Sequence, residues 1–177
     1  MPHRTHSPPP LDAAAIERLA LRYVERYATT RARLVAYLTR KLRERGGEGA
    51  LPDLAALADR FAELGYIDDR AFGEARASSL GRRGYGARRI AMALHHAGVE
   101  GEDADSLAPA IAERRVDSAI AFARRRRIGP FAAQASDRAG RERAIAALVR
   151  AGHDFDLARR IAAMAPGDSV EPLQDDP

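Results

Sequence analysis

The chain has 177 residues, of which 46% are hydrophobic but only 6% aromatic, and its formal net charge is +4 at pH 7. It contains no cysteine, which excludes disulfide bonds, thiolate nucleophiles and thiolate metal ligands. No apolar run approaches the length of a membrane span, and the first residues lack the apolar core of a signal peptide. We therefore expect a cytoplasmic protein with a core of Ala, Leu and Ile, a composition that favours closely packed short helices.

The charge is distributed unevenly along the chain. Residues 166–177 carry four acids and no base, and subtracting their −4 from the total of +4 leaves +8 on the rest of the chain. Every basic residue except Lys41 is arginine, whose planar guanidinium group forms bidentate contacts with carboxylates and phosphates. The body of the chain therefore suits an anionic or acidic partner. GC-rich codon usage explains the excess of arginine over lysine equally well, but it does not explain the clustering.

Between two non-helical ends, hydrophobic residues recur at helical spacing along nearly the whole chain. Residues 1–10 end in three prolines, and residues 166–177 are rich in Pro, Gly and Asp, so both are predicted to be disordered tails. No segment between them alternates apolar and polar residues as a strand would. The predicted helices include residues 13–28, 53–64, 69–82, 105–113, 113–127 and 155–164.

A repeated helix end, Leu-x-x-x-Gly, occurs at Gly46, Gly98 and Gly152, with spacings of 52 and 54 residues. One predicted helix precedes each of these segments and another follows it. The pattern predicts an all-α fold of three tandem three-helix repeats that form an elongated, curved helical array. The predicted repeats cover residues 11–67, 68–112 and 113–165.

The turn between the first two repeats is the most informative stretch of the sequence. Gly65 can adopt the left-handed conformation that ends a helix, and Asp68 can cap the helix that follows. Ile67 then precedes the cap, and Phe72 occupies the fourth helical position. This is the spacing of a hydrophobic staple, which fixes the angle at which the chain enters a helix.

A second informative stretch is the basic connector at residues 82–90, which contains one aromatic residue and two glycines. Guanidinium groups, an aromatic ring and an accessible backbone are what an anion-binding connector needs. In the alternative interpretation, Tyr85 packs at a helix junction and the arginines are only solvated. Both interpretations also apply to the basic run 124–127, where cations would meet the negative end of a helix dipole. The candidate partner-binding residues are Arg82, Arg83, Tyr85, Arg88, Arg89, Arg124, Arg125, Arg126 and Arg127.

The sequence contains no constellation typical of an enzyme or of a metal site. Asp68 and Asp69 are adjacent at a helix start and point in different directions, which suits caps better than an acid–base pair. His95 and His96 are also adjacent, so they cannot ligate one metal from a single helical face. The glycines at 81–86 do not follow the order of a phosphate loop. We therefore expect no catalytic residues, no cofactor and no metal.

Residues 65–72 and 82–90 together resemble the RecX family, the regulators of the bacterial recombinase RecA. The resemblance rests on the Gly-Tyr-Ile-Asp-Asp turn, the Arg-Ala-Phe after it, and the run Arg-Arg-Gly-Tyr-Gly-x-Arg-Arg-Ile. It implies the same three-by-three arrangement of helices. It also implies a non-enzymatic monomer that binds the RecA filament on single-stranded DNA and inhibits its recombinase and co-protease activities. The sequence departs from the commoner family pattern in its arginine-rich third unit and in its poorly periodic helix at 105–113.

A helical protein that acts directly on DNA is the alternative, and weak direct DNA binding is also compatible with the leading interpretation. The charge of the body and its arginine clusters suit both. No predicted helix carries several base-reading side chains in register, as a recognition helix would. Dependence on salt separates the two functions, because binding to phosphates weakens steeply as salt rises.

Overall fold

A computed structural model describes residues 9–173 of the chain. Within that range the chain forms nine α-helices and two short 3-10 turns, with no β-strand, so the prediction of an all-α fold is confirmed. Most of the predicted N-terminal tail lies outside the described residues. The helices are α1 (Ala13–Arg26), α2 (Arg31–Arg45), α3 (Leu54–Glu63), α4 (Asp69–Arg82), α5 (Ala87–His95), α6 (Gly101–Glu113), α7 (Arg115–Arg126), α8 (Arg138–Arg150) and α9 (Phe155–Ala163).

The helices follow the predicted order of three groups of three. The second helix of each group is followed by a glycine of the repeated Leu-x-x-x-Gly segment, with φ of 77° at Gly46, 76° at Gly98 and 98° at Gly152. The described residues form two compact units, each with most of its contacts within itself. The first contains the residues up to Phe72 together with Ala97–Val99, and the second contains Gly73–His96 and the residues from Glu100 onward.

Helices α1, α2 and α3 enclose the core of the first unit, and each begins at a polar cap. The carboxylates of Asp12 and Asp53 accept backbone N–H groups at the starts of α1 and α3. Thr30 caps α2, and its hydroxyl also donates to the carbonyl of Ala97 at 2.5 Å, which joins the segment Ala97–Val99 to this unit. The large buried side chains of this core are Leu11, Ile16, Leu34, Leu38, Leu57, Phe61 and Ile67.

The turn between α3 and α4 has the predicted backbone but only half of the predicted staple. Gly65 has a φ of 79°, and the Asp68 carboxylate accepts the N–H of Ala71 at 2.7 Å, so the helix end and the cap are confirmed. Ile67 is buried in the core of the first unit. Phe72 does not pack against that core; it is half-buried, and the Arg33 guanidinium lies 5.4 Å from its ring centroid. Covering by an arginine replaces the staple contact at this position.

The Asp69 side chain bonds to another helix, whereas the sequence predicts a cap at the start of its own. Its side chain is buried and accepts two hydrogen bonds of 2.9 Å from Arg31, one from the backbone N–H and one from Nε. Arg31 is the first residue of α2, so the carboxylate satisfies a free N–H at the start of that helix. Asp69 thereby ties the start of α4 to the start of α2.

Helices α7, α8 and α9 supply the main core of the second unit, whose buried residues include Val116, Phe122, Leu148, Leu157 and Ile161. Helix α6 begins at Gly101, four residues before the predicted start, and Pro109 lies in its interior. Two acidic side chains in its first turn, Glu102 and Asp103, favour this earlier start through the helix dipole. Weak hydrophobic periodicity concealed this start in the sequence.

The structure differs from the expected disordered tail at residues 166–173. A 3-10 turn at Glu171–Leu173 places Leu173 against the core of the second unit, where only 4% of its surface is exposed. Arg160 donates to the carbonyl of Pro172 at 2.9 Å, which holds this segment to α9. The average composition of the tail is polar, but one buried leucine is enough to anchor it. Residues 174–177 lie outside the described range.

Replacing Asp69 by Ala should destabilise the protein more than replacing its neighbour Asp68. Asp69→Ala removes two hydrogen bonds to a buried carboxylate, so we expect the free energy of unfolding to fall by about 2–3 kcal/mol. Asp68→Ala removes one exposed cap and should cost about 1 kcal/mol. Urea denaturation of the parent and both variants measures the difference. Equal losses would contradict the tie between α4 and α2.

Candidate interaction surface

The connector between α4 and α5 is fixed by hydrogen bonds to the turn that follows α8. The N–H of Gly86 donates to the carbonyl of Ala151 at 2.9 Å, and the N–H of Arg88 donates to the carbonyl of Gly152 at 3.2 Å. The N–H of Tyr85 closes the end of α4 on the carbonyl of Leu80 at 3.1 Å. The connector is therefore a packed joint within the second unit.

The glycines of the connector permit close packing, which corrects the expectation that they keep its backbone accessible. Gly84 and Gly86 are both buried. A Cβ atom on Gly86 would collide with the carbonyl of Gly152, and one on Gly84 would lie 2.6 Å from the backbone nitrogen of Phe122. These approaches leave no room for any side chain. Backbone packs directly against backbone here, and only the side chains of the connector can face a partner.

His153 holds the same joint from its other side. Its Nε2 donates to the carbonyl of Gly84 at 3.1 Å, and its ring centroid lies 5.9 Å from that of Phe122. Only 3% of the residue is exposed. Burial is the main cause that lowers the pKa of the imidazole below 6.5; the hydrogen bond to Gly84 and the charge of Asp154 oppose this shift. In the sequence this histidine is a single residue directly after Gly152.

Tyr85 both packs at a helix junction and lies beside arginines, which the sequence analysis treated as alternatives. Its side chain is half-buried at the helix junction. The guanidinium groups of Arg83 and Arg89 nevertheless lie 5.6 Å and 5.7 Å from its ring centroid. Such cation–π contacts hold long side chains in place at a surface. The connector therefore presents two arginines that are positioned by one ring.

The four arginines of the run 124–127 point to different places at the end of α7. Arg125 and Arg126 each lie 5.8 Å from the ring centroid of Phe122, whereas Arg124 lies 5.1 Å from that of Phe131. Arg127 caps the helix in the left-handed conformation, with a φ of 56°. Only the middle two of the four arginines therefore face the connector.

Parts of the two basic stretches meet in a shallow cleft of about 200 Å³. The lining contains four arginines, two aromatic rings and no carboxylate, and we name it the arginine cleft. Of the candidate residues, Arg82, Arg83, Arg88, Arg124 and Arg127 lie outside this lining. The lining residues are Tyr85, Arg89, Phe122, Arg125, Arg126, Ala147, Arg150 and Ala151.

Sequence reasoning missed Arg150 and Phe122, which complete the cleft. Arg150 is the last residue of α8, directly before the turn that holds the connector. The third Leu-x-x-x-Gly segment marks that turn, so the sequence does indicate a helix end beside Arg150. Nothing in the sequence indicates that this turn contacts the connector. Phe122 is buried in the core of the second unit. Its ring also positions two arginines of the cleft.

The chemistry available to the arginine cleft is the binding of anions. Guanidinium groups donate hydrogen bonds to carboxylate or phosphate oxygens and accept none. Across residues 9–173, no three His, Asp or Glu side chains are grouped so that they could hold a metal ion. Over the same residues, no helix has both the length and the apolar character needed to cross a membrane.

Comparisons with known proteins agree on one family. The protein-family model described as "RecX, second three-helix domain" matches residues 68–106. The regulatory protein RecX of Myxococcus xanthus is 36% identical over 155 residues, which are 82% of this chain and 83% of that protein. Its namesake from Thermus thermophilus is 37% identical over 108 residues, covering 61% of this chain and 68% of that protein.

A solved structure shows the same fold. The crystal structure of RecX from Lactobacillus salivarius matches with a TM-score of 0.62 and covers 84% of this chain and 93% of that one. The two sequences are only 18% identical. At that identity the similarity concerns the fold and not the residues of the cleft.

The lowered pKa of His153 predicts that the protein loses stability as the pH falls below about 6.5. In that range the unfolded imidazole binds a proton and the buried one does not. The stability gained by burying the neutral ring is therefore complete at pH values above the pKa that His153 has in the unfolded state. It declines as the pH falls towards the lower pKa that His153 has in the folded state. The contribution to the slope is at most about 1.4 kcal/mol per pH unit. Urea denaturation at a series of pH values measures it.

The variant His153→Gln serves as the comparison for this slope. Glutamine can still donate to the carbonyl of Gly84 but does not titrate. Its free energy of unfolding should therefore depend less on pH than that of the parent, since all other titrating groups are shared. Identical slopes in the two proteins would mean that His153 titrates as an exposed imidazole does.

Proposed function

Since this chain belongs to the RecX family, we propose that it is a non-enzymatic regulator that binds the RecA filament on single-stranded DNA. Bound as a monomer, it inhibits the recombinase and co-protease activities of RecA. The observation that carries this proposal is its similarity to named RecX regulatory proteins along most of their length. The absence of a nucleophile–base constellation in the sequence is consistent with a regulator that acts by binding.

We further propose that the arginine cleft contacts an acidic surface of the filament. Four guanidinium groups converge there without a carboxylate in the lining. Phe122 and Tyr85 hold Arg89, Arg125 and Arg126 in position, so less side-chain freedom is lost when a partner binds. Fixed positive charge of this kind favours encounter with an acidic partner and fixes its orientation.

Direct action on DNA through the same arginines is the second candidate, and the net charge of +8 outside the acidic end favours it. The two candidates differ in their dependence on salt. Binding to DNA phosphates weakens steeply because counterions are displaced, whereas a protein interface with apolar burial weakens less. Sedimentation of the protein with RecA filaments and with the same DNA alone, over a range of salt concentrations, separates them.

Reversing two charges of the cleft, Arg89→Glu with Arg125→Glu, should abolish most of the inhibition without unfolding the protein. Both side chains are exposed, so their contribution to stability is small. The new carboxylates would repel an acidic partner. We expect less co-sedimentation with RecA filaments and a large loss of inhibition of RecA-driven ATP hydrolysis.

The matched control is Arg138→Glu with Arg141→Glu, which changes the net charge by the same amount. Both residues are exposed on α8. Arg141 lies nine positions before Arg150 on that helix, about 13 Å along its axis. This variant should inhibit nearly as well as the parent. If both variants lost the same inhibition, net charge and not the cleft would determine binding.

A further inference from the structure

Three tyrosines form a cluster on the first unit, away from any role proposed above. The rings of Tyr23 on α1 and Tyr37 on α2 are stacked, with centroids 4.2 Å apart and planes at 16°. Tyr27, directly after α1, packs on Tyr23 with centroids 5.4 Å apart and planes at 52°. None of the three hydroxyl groups has a hydrogen-bond partner among residues 9–173. The aromatic surface is thus extended and open to solvent at Tyr27, which is 50% exposed.

Open grooves lie along this ring stack. The larger has a volume of about 880 Å³ and the smaller of about 350 Å³, and both are lined by all three tyrosines and by Arg40. We name the two together the tyrosine groove. Its charged lining consists of four arginines and one acid, and these residues are Arg22, Arg26, Arg33, Arg40 and Glu25.

The positive charge of the tyrosine groove is only partly compensated. Arg22 and Arg26 form no ion pair with a carboxylate anywhere in the described part of the chain, and Arg40 has only a 3.7 Å pair with Glu44. Two of these arginines also lie beside the rings: Arg26 is 5.5 Å from the centroid of Tyr27, and Arg40 is 5.6 Å from that of Tyr37. Cations therefore border the aromatic faces on both sides of the stack.

We propose that the tyrosine groove binds a single-stranded polynucleotide. A base stacks on Tyr27, and the adjoining phosphates pair with Arg22, Arg26 and Arg40. Aromatic faces beside a row of cations bind single strands without sequence preference, because every base has a π-face and every nucleotide has a phosphate. A duplex hides its base faces within the helix and cannot use the tyrosines. An acidic peptide could pair with the arginines but would gain nothing from the ring stack.

This inference is independent of the proposed function. The tyrosine groove belongs to the first unit, and the arginine cleft belongs to the second. A protein that fails to bind the RecA filament could still bind single strands through Tyr27, and the reverse also holds. The assay below contains no RecA, so filament binding does not contribute to its result, and the comparison of Tyr27→Ala with Tyr66→Ala assigns that result to the tyrosine groove.

The experiment compares two fluorescein-labelled strands of equal length by fluorescence anisotropy at low salt. One is oligothymidylate, and the other is an abasic strand that keeps every phosphate and lacks the bases. Tyr27→Ala should weaken binding to oligothymidylate about tenfold, on the order of one lost base stack, and should barely change binding to the abasic strand. Tyr27→Phe, which keeps the aromatic face, should retain the affinity of the parent.

Tyr66→Ala is the matched control. Tyr66 belongs to the same unit and is also 50% exposed, but it lies beside Phe61 and outside the tyrosine groove. This variant should bind both strands as the parent does. Circular dichroism melting of each variant verifies that it is folded. Equal weakening by Tyr27→Ala and Tyr66→Ala would overturn the proposal, as would equal affinity of the parent for the two strands.

Three further measurements test the same site. Arg22→Gln with Arg26→Gln should weaken binding to both strands and reduce the slope of log affinity against log salt by about 1.4, since two phosphate contacts are lost. The chain has five tyrosines and no tryptophan, so stacking on the cluster should also quench its intrinsic emission. Duplex DNA of the same length should compete poorly for the labelled single strand. Competition by the duplex as strong as by the single strand would contradict base stacking.

Discussion

The second unit depends on one close approach, that of the backbone at Gly86 to the backbone at Gly152. No side chain fits at either position, and the N–H of Gly86 bonds to the chain directly before Gly152. This contact fixes where α5 begins and which way the connector faces. Tyr85 and Arg89 consequently lie beside the end of α7, and two basic stretches that are far apart in sequence share the arginine cleft. The geometry of the cleft is thus a consequence of packing that any larger residue at these positions would prevent.

Local chemistry was enough to predict most of the fold from the sequence. The helix end at Gly65, the cap at Asp68 and the three Leu-x-x-x-Gly segments each depend on a few neighbouring residues, and the structure confirms them. The sequence-based predictions were wrong where the hydrophobic pattern was weak, or where the average composition of a segment hid the effect of a single residue. The poor hydrophobic periodicity of the predicted helix at 105–113 concealed the start of α6, and the polar composition of the last residues concealed the anchoring role of Leu173. The start of α6 depends on the helix dipole and the anchoring of Leu173 depends on a buried contact, and the average composition of a segment reveals neither.

The candidate site was less predictable, because it depends on which stretches meet. Proximity in sequence grouped the arginines into a connector and a run, but the structure divides both groups and adds Arg150. His153 shows the same difficulty, since its role depends on a carbonyl 69 positions earlier in the chain. Asp69 likewise acts on the start of α2, 38 positions earlier in the chain. Long-range partners of this kind leave no spacing that a single sequence can reveal.

The placement of the arginines also bears on why the chain prefers them to lysine. Arginine guanidinium groups lie over Tyr27, Tyr37, Tyr85, Phe122 and Phe131. The sole lysine, Lys41, pairs with Glu44 at 2.6 Å instead. A planar guanidinium can stack on a ring and still donate hydrogen bonds outward, which a tetrahedral ammonium does less well. GC-rich codons would raise the number of arginines but would not place them over rings. Stacking keeps their charges both exposed and oriented, as a surface that captures anions requires.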